Sequence, residues 1–373
     1  MSSSETRAWK RFLPETREET RNFRFASAHA GRCVLVTGAG GYIGSALVDA
    51  IAGAFAGARP RCIVLLDSSE YNLFAIQRRL ELAGGPVPHE AFLGTVEDAD
   101  LLDDIFSRFR PEIVYHAAAF KHVPLLELNP IAAVQNNAIG TWALARAVIR
   151  GGASTLVLIS TDKAVNPHSV LGVSKRIAEL AVVAHSGVAC RMSAIRLVNV
   201  IGSGGSVVPL FLKQIAEGEP VTVTHPEASR WFLSLGETVE AVLACGAAAC
   251  EGRILLPEVG SPVRIAELAR FLIRDAGKEI PIQFTGLRPG DKLTEELTYK
   301  TEVRDGFVEG PLEVVKASRL ALAELGDVME QLSRCIAGRD GSGLIRMLSS
   351  VVPEYVPSGI VQSVMAKGAQ VGK

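Results

Sequence analysis

Short apolar runs, separated by segments of helical periodicity, recur along the chain up to about residue 200. The runs occupy residues 33–37, 62–67, 91–94, 113–116, 155–160 and 192–197, and helical patterns cover 45–57, 71–83, 132–150 and 174–186. Continuous apolar runs are typical of strands in a parallel sheet that is covered on both faces. Because strands that alternate with helices form right-handed βαβ units, the sequence predicts an α/β fold with a doubly wound parallel Rossmann sheet.

Beyond about residue 200 the pattern changes. A glycine-rich loop at 202–206 is followed by helical segments, short strands and several terminal helices. We therefore predict an N-terminal arm at 1–30 and an NAD(P)-binding Rossmann domain at 31–202, to which residues 230–260 return. A smaller, interleaved C-terminal lobe that binds substrate, together with terminal helices, is predicted at 203–229 and 261–373.

Composition excludes several classes of protein. Hydrophobic residues make up 48% of the chain and charged residues 21%, which excludes global disorder. The net charge of −1 argues against a nucleic-acid or membrane-surface partner. The charged N-terminus has no apolar core of a secretory signal, and no apolar run of about 18 residues is present, so we expect a cytoplasmic protein without a membrane span. The cysteines lack metal-ligand spacing, and no metal site is expected.

A glycine-rich turn lies between the first strand and the first helix. Gly38 suits a tight turn, Gly41 allows backbone N–H groups to approach a pyrophosphate, and Gly44 allows close packing of helix and strand. Asp67 ends the second strand, where a carboxylate accepts hydrogen bonds from an adenosine ribose and disfavours a 2′-phosphate. The pattern predicts NAD, although the neighbouring Ser68 leaves NADP open; the alternative is an ordinary βα turn with a solvated aspartate.

Several longer blocks resemble the extended short-chain dehydrogenase/reductases. His116-Ala-Ala-Ala-Phe-Lys-His-Val-Pro124, Asn137-Ala-Ile-Gly-Thr141 and Ser160-Thr-Asp-Lys-Ala-Val-Asn-Pro167 are similar to the polysaccharide-biosynthesis (CapD-like) branch of nucleotide-sugar 4,6-dehydratases, and the similarity covers about residues 30–300. The resemblance implies that NAD(P) and a UDP-N-acetylhexosamine, typically UDP-GlcNAc, are bound. The implied product is a 4-keto-6-deoxy sugar nucleotide, in some members with inversion at C5, and a homo-oligomer is expected.

The resemblance also implies roles for individual residues. Thr161 binds the C4 oxygen, Asp162 is the acid at C6, Lys163 is the base at C5, and Lys175 holds the nicotinamide ribose. We expect burial and the charge of Lys175 to lower the pKa of Lys163. The implied cofactor contacts are Gly38, Gly41, Tyr42, Ile43, Gly44, Asp67, Ser68, Ala117, Ala118, Ala119, Ser160 and Lys175. The implied substrate contacts are Lys121, His122, Asn199, Arg230, Arg288 and Glu295, with the two arginines on the diphosphate and Glu295 on the uridine ribose.

Some positions depart from the family pattern. Relatives commonly carry Tyr, or Met in the membrane-bound branch, four residues before the helix lysine, whereas this chain has Leu171, which cannot carry a proton. Gly204 replaces a common Arg, and Thr95 stands where Asp is common beside the adenine. Two alternatives stay open: a nucleotide-sugar 4-epimerase or oxidoreductase, and a cofactor- and sugar-nucleotide-binding protein that has lost turnover. His122 is either a sugar contact or a packed core histidine, and His116 is expected to be structural.

Overall fold

The computed structural model of the protein describes residues 12, 25–53, 58–83, 87–187, 189–248, 250–308 and 312–368. In chain order its strands are β1 (Cys33–Thr37), β2 (Cys62–Asp67), β3 (His89–Leu93), β4 (Ile113–His116), β5 (Thr155–Thr161), β6 (Arg191–Leu197), β7 (Asn199–Val200), β8 (Val221–Val223), β9 (Ser229–Arg230), β10 (Phe232–Leu233), β11 (Arg253–Pro257), β12 (Val263–Arg264), β13 (Ile282–Phe284), β14 (Val303–Val308) and β15 (Leu312–Lys316). Of the predicted arm at 1–30, residues 1–11 and 13–24 lie outside the described residues.

The helices alternate with the strands as predicted over the first 200 residues. They are α1 (Tyr42–Ala52), α2 (Glu70–Leu82), α3 (Ala99–Phe109), α4 (Val123–Leu128), α5 (Pro130–Val134), α6 (Gly140–Arg150), α7 (Val170–His185), α8 (Val207–Glu217), α9 (Leu235–Ala248), α10 (Ile265–Asp275), α11 (Leu322–Ala337), α12 (Gly341–Val351) and α13 (Gly359–Gly368). A π-helical turn, Gln135–Ile139, joins α5 to α6 and divides the helix predicted at 132–150. Among the described helices, none is both long enough and apolar enough to cross a bilayer.

Nine strands form the central sheet, in the order β14-β15-β11-β6-β5-β4-β1-β2-β3. All neighbouring pairs from β11 to β3 are parallel. The chain leaves β1 toward β2 and β3 and then returns to β4 on the other side. The carboxyl ends of β1 and β4 therefore flank a topological switch point, where open α/β sheets bind their ligands. The predicted doubly wound Rossmann sheet is confirmed.

Apolar side chains on both faces of the sheet explain the continuous runs in the sequence. Val34 and Val36 of β1 belong to the core under α1, α2 and α9, whereas Cys33 and Leu35 belong to the opposite core under α3, α6 and α7. Successive strand residues point to opposite faces, and both faces are covered. A central strand is therefore apolar at successive positions and does not alternate between apolar and polar residues.

A smaller lobe is built from α8, α10 and short strand pairs. β8 pairs with β13 and β9 pairs with β12, and Phe211 and Leu268 lie in its apolar core. Within the range 261–373, predicted for the lobe and the terminal helices, β14 and β15 add an antiparallel extension to the central sheet. Leu312 and Val315 of β15 enter opposite cores of the sheet, and α11 and α12 pack into a core shared with α7.

Candidate active site

The turn after β1 has the geometry that its glycines require. Gly38 adopts a φ of +67°, a left-handed conformation that favours glycine. A Cβ atom on Gly38 would lie 2.6 Å from the backbone nitrogen of Ala118, and one on Gly44 would lie 2.0 Å from the carbonyl oxygen of Gly38. The turn, the start of α1 and the segment after β4 therefore meet closely enough to exclude side chains. The N-terminus of α1 opens onto the switch point of the sheet.

Asp67 anchors the end of β2 to this turn. Its Oδ2 accepts a hydrogen bond of 2.8 Å from the backbone of Gly40, and its Oδ1 accepts one of 2.8 Å from the backbone of Ser69. Tyr42 donates its hydroxyl proton to the carbonyl of Ile201 at 2.8 Å, which ties α1 to the segment after β7. These contacts fix the position of the Asp67 carboxylate and leave Ser68 exposed beside it.

The carboxyl end of β5 carries three chemically active side chains in succession. Thr161 ends the strand, and Asp162 begins a 3₁₀ turn that also includes Lys163. The hydroxyl of Thr161 and the ammonium of Lys163 both donate to Oδ1 of Asp162 at 2.9 Å. Asp162 is fully buried, and its Oδ2 has no hydrogen-bond partner within the described part of the chain. The arrangement can pass protons between all three side chains.

A second carboxylate reaches the same lysine from a distant part of the chain. Oε1 of Glu295 lies 3.8 Å from Nζ of Lys163 and 3.7 Å from Nε of Arg230. Burial disfavours the charge of Lys163, but Asp162 and Glu295 together raise its pKa above the ordinary value. The prediction of a lowered pKa for Lys163 is therefore wrong, since two carboxylates face its ammonium. The nearby cation that opposes them is Arg230, not the Lys175 of the prediction.

Lys175, unlike Lys163, has a depressed pKa. It lies on α7 with 3% of its surface exposed. Burial lowers its pKa to about 8, although the carboxylate of Glu179 opposes the shift. Lys175 can therefore change its charge near neutral pH, unlike Lys163.

Replacing Lys175 by methionine tests this assignment through stability. Between about pH 8 and its ordinary pKa of 10.5, folded Lys175 is neutral while the unfolded residue is still protonated. The unfolded state then binds more protons, so wild-type stability should rise by about 3 kcal/mol as the pH increases through this window. Roughly 2 kcal/mol of that rise falls between about pH 7.5 and about pH 9.5, and we expect Lys175→Met to lack it in denaturant unfolding at these two pH values. Identical pH dependence in both proteins would contradict the depressed pKa.

His116 is held uncharged between two threonines. The hydroxyl of Thr141 donates to the carbonyl of Asn137 at 2.6 Å, so it must accept a hydrogen bond from Nε2 of His116 at 2.9 Å. Nδ1 of His116 is then unprotonated and accepts from the hydroxyl of Thr37 at 2.7 Å. Burial, aided by the charge of Lys175, lowers the pKa of His116 to about 3. These contacts fit the structural role expected for His116.

Leu171 is part of the hydrophobic core. It is 5% exposed and lies in the cluster that joins α7 to the C-terminal helices, with Leu325 and Tyr355 among its members. The hydroxyl of Ser174 donates to the carbonyl of Leu171 at 2.9 Å and accepts from Asn137 at 3.1 Å. The position that carries a phenol in common relatives therefore contributes apolar packing here.

Several of the residues predicted to contact substrate are exposed. Lys121, His122 and Arg288 are exposed, and Arg288 donates to Asp291 at 2.8 Å. A Cβ atom on Gly205 would lie 2.7 Å from the ring of His122, so this ring contacts the glycine-rich loop. The alternative of a packed core histidine is therefore wrong. Asn199 donates to the carbonyl of Trp231 at 3.1 Å.

Three residues predicted to contact substrate or cofactor bond to other groups of the protein. Arg230 donates to the carbonyls of Ser229, Leu293 and Lys292. Its guanidinium is therefore not free for the bidentate contact expected with a diphosphate. Glu295, predicted to meet the uridine ribose, pairs with Lys163 at 3.8 Å. The hydroxyl of Ser160, predicted to meet the cofactor, donates to Glu179 at 2.7 Å.

Two side chains that sequence reasoning left without a role fix the turn after β5. Lys292 donates to the carbonyl of Val165 at 2.7 Å, and the hydroxyl of Tyr299 donates to the carbonyl of Ala164 at 2.7 Å. Lys292 belongs to the Arg288-Pro-Gly-Asp-Lys292 block, which was a signal available in the sequence. The segment 292–299 thus holds the far side of the turn that carries Asp162.

A buried ionic network underlies the site. Arg196 of β6 is fully buried and donates to both oxygens of Glu179 at 2.8 Å and to both oxygens of Glu302 at 2.7 Å. Arg176 donates to Glu179 at 3.1 Å, and its guanidinium lies 4.7 Å from the ring centroid of Tyr299. The network connects β5, β6 and α7 to the segment that follows Glu295, so it fixes the elements that carry the active site.

Residues 34–312 match the family model of polysaccharide biosynthesis proteins. The chain belongs to this family. It is 44% identical to the probable polysaccharide biosynthesis protein EpsC of Bacillus subtilis over 77% of its length and 48% of that protein. It is 40% identical to the capsular polysaccharide biosynthesis protein CapD of Staphylococcus aureus over 81% of its length and 51% of that protein. The chain thus spans about half the length of these curated relatives.

The fold of this polysaccharide biosynthesis family member also matches solved structures. The X-ray structure of Pen from Bacillus thuringiensis superposes with a TM-score of 0.69 at 26% sequence identity and covers 79% of this chain and 91% of Pen. The resemblance to CapD-like proteins is therefore confirmed at the level of the family and the fold.

Proposed function

We propose that the protein is an NAD(P)-dependent nucleotide-sugar 4,6-dehydratase acting on a UDP-N-acetylhexosamine such as UDP-GlcNAc. The observation that carries the proposal is the hydrogen-bonded set of Thr161, Asp162 and Lys163 at the carboxyl end of β5. Similarity to EpsC and CapD supports the placement in polysaccharide biosynthesis. The product is a 4-keto-6-deoxy sugar nucleotide.

The residues at the glycine turn fit a nicotinamide dinucleotide. Gly38 and Gly44 leave no room for a Cβ atom, so the turn stays free of side chains, and the backbone N–H groups at the start of α1 suit a pyrophosphate. Asp67 is held where it can accept from ribose hydroxyls, which favours NAD, and the exposed Ser68 leaves NADP possible. When bound, the cofactor would accept a hydride from C4 and return it to C6.

The dehydration requires a proton to travel from the C4 hydroxyl to the departing C6 oxygen. Thr161 can receive the C4 proton while its own proton passes along the 2.9 Å hydrogen bond to Asp162. Asp162 then holds the proton that the C6 oxygen needs to leave as water. Asp162 thus serves as the acid, and a phenol at position 171 is not needed.

The C5 proton is acidic only when C4 is a ketone, so its removal follows the oxidation. Lys163 takes this proton as a neutral amine, the electrons of the C5–H bond form the C5=C6 double bond, and the C6–O bond breaks. Protonation of Asp162 in the preceding step removes one of the two negative charges that raise the pKa of Lys163. The first proton transfer therefore prepares the base for the second.

Exposed side chains at the mouth of the site suit a sugar diphosphate. Arg288 can offer the guanidinium nitrogens that its bond to Asp291 leaves unused, and Lys121 and His122 lie at the start of α4 after the Ala117–Ala119 segment. Arg230 is better assigned to holding Glu295 and the 292–293 backbone than to phosphate.

A mass-spectrometric assay tests the proposal. We expect purified protein with NAD to convert UDP-GlcNAc into a species lighter by one water. An isomerised product of unchanged mass would favour the 4-epimerase alternative, and no product from any UDP-N-acetylhexosamine, with cofactor and sugar nucleotide both bound, would favour a binding protein without turnover.

A further inference from the structure

Lys163 must lose a proton before it can act as a base, so the dehydration requires a group that accepts this proton. Asp162 is not free to take it, because Asp162 carries the proton destined for the C6 oxygen. The acceptor must therefore be another group within reach of Nζ. Among the described residues, Glu295 is the other carboxylate in ion-pair range of Nζ, at 3.8 Å.

We propose that Glu295 is a positioning residue that accepts the ammonium proton of Lys163 and returns it later in the reaction. This inference rests on the proposed dehydratase function and assigns Glu295 a role in proton transfer, not in binding the uridine ribose. In the step, an N–H bond of Lys163 breaks and an O–H bond forms on Glu295. The neutral amine then takes the C5 proton, gives it back to C5 when C6 accepts the hydride, and regains its own proton from Glu295.

The geometry supports a proton-accepting role. Glu295 is 3% exposed, and its Oε2 has no hydrogen-bond partner within the described ranges. A buried carboxylate oxygen without a hydrogen-bond donor destabilises the fold, and such atoms in native proteins often have a functional role. Oε1 faces Nζ of Lys163 at 3.8 Å, about 1 Å longer than a normal hydrogen bond.

The charges around Glu295 favour the transfer. Burial raises the pKa of Glu295, and the charge of Asp162 raises it further, while the cations of Lys163, Arg230 and Lys292 oppose the shift. A carboxylate with a raised pKa is a stronger base than an exposed one, so it competes better for a proton held by an ammonium. When Asp162 is protonated its charge no longer raises the pKa of Glu295, but burial, the largest cause, still does, and Glu295 is then the remaining carboxylate next to Lys163.

The Glu295→Gln variant keeps the size of the side chain but cannot accept the proton. In single-turnover experiments with NAD and UDP-GlcNAc, we expect C4 oxidation, seen as reduced-nicotinamide absorbance, to keep its wild-type amplitude. Water loss and deuterium entry at C5 in D₂O should fall by about 10²-fold or more. The acid limb of the wild-type kcat profile, where Glu295 becomes protonated, should be absent from the residual activity. Glu295→Asp should restore that limb and part of the rate.

The adjacent Glu296 provides a matched control. Its side chain is 48% exposed and pairs with Lys292, so Glu296→Gln should dehydrate at the wild-type rate. The inference is overturned if Glu295→Gln matches wild type, or if it loses C4 oxidation and water loss to the same extent, which would indicate a purely structural role. A wild-type protein that removes no water would instead overturn the proposed function itself.

Discussion

Replacing Asp162 by asparagine is expected to lower the rate of water loss by about 10²–10⁴-fold. Asparagine retains an oxygen that can accept from Thr161 and Lys163 but can neither take nor release the proton that the proposed mechanism delivers to the C6 oxygen. Because the side chain is fully buried, solvent cannot readily supply that proton in its place. The rate is measured as dehydrated product formed from UDP-GlcNAc, and the nicotinamide that remains bound after purification is quantified in parallel.

Asp104→Asn is the control for this substitution. Asp104 lies on α3, where its 48% exposed side chain pairs with Arg108, and its loss should leave turnover unchanged. Wild-type turnover by the Asp162→Asn variant would remove Asp162 from the mechanism. Loss of bound cofactor together with turnover would show that Asp162 supports the fold of the site and not the proton transfer.

Replacing Arg196 by methionine should destabilise the fold by about 3–5 kcal/mol. The substitution removes the bidentate partner of both Glu179 and Glu302 and leaves two buried carboxylates without their main cation. Arg196 also contributes to holding the pKa of Glu179 below its ordinary value against the effect of burial. In the variant the pKa of Glu179 should rise, so the loss of stability should shrink as the pH falls and Glu179 becomes protonated. Denaturant unfolding near neutral pH measures the difference.

Arg304→Met supplies the comparison for an exposed ion pair. Arg304 also forms a bidentate contact, with Glu313, but its side chain is 60% exposed. Exposed pairs contribute about 0–1 kcal/mol, so this variant should unfold almost as wild type does. Equal losses of unfolding free energy in the two variants would contradict the view that the buried network stabilises the fold more than an exposed ion pair does.

The fold and the glycine turn could be predicted because the determining signals are local. Apolar runs bounded by helical periodicity identify buried parallel strands, and a turn that must bring backbone against backbone requires glycine at Gly38 and Gly44. The placement of Thr161 and Asp162 follows from the same reasoning, since both come at the end of a central strand.

The electrostatics of the site could not be predicted because they depend on contacts between distant segments. The charge of Lys163 is set partly by Glu295, which approaches from the lobe, and a sequence pattern does not show that Arg230 is committed to backbone carbonyls. The environment of Leu171 could not be predicted either, because its packing partners come from the C-terminal helices. The place of β15 in the central sheet was also not predictable, since its short apolar pattern is common to many strands.

UDP-GlcNAc with deuterium at C4 tests most directly whether Asp162 and Lys163 remove water from an oxidised hexose. The expected product is lighter by one water and carries the deuterium at C6. Deuterium that stays at C4 in a product of unchanged mass, or a hexose that is oxidised without losing water, would contradict it.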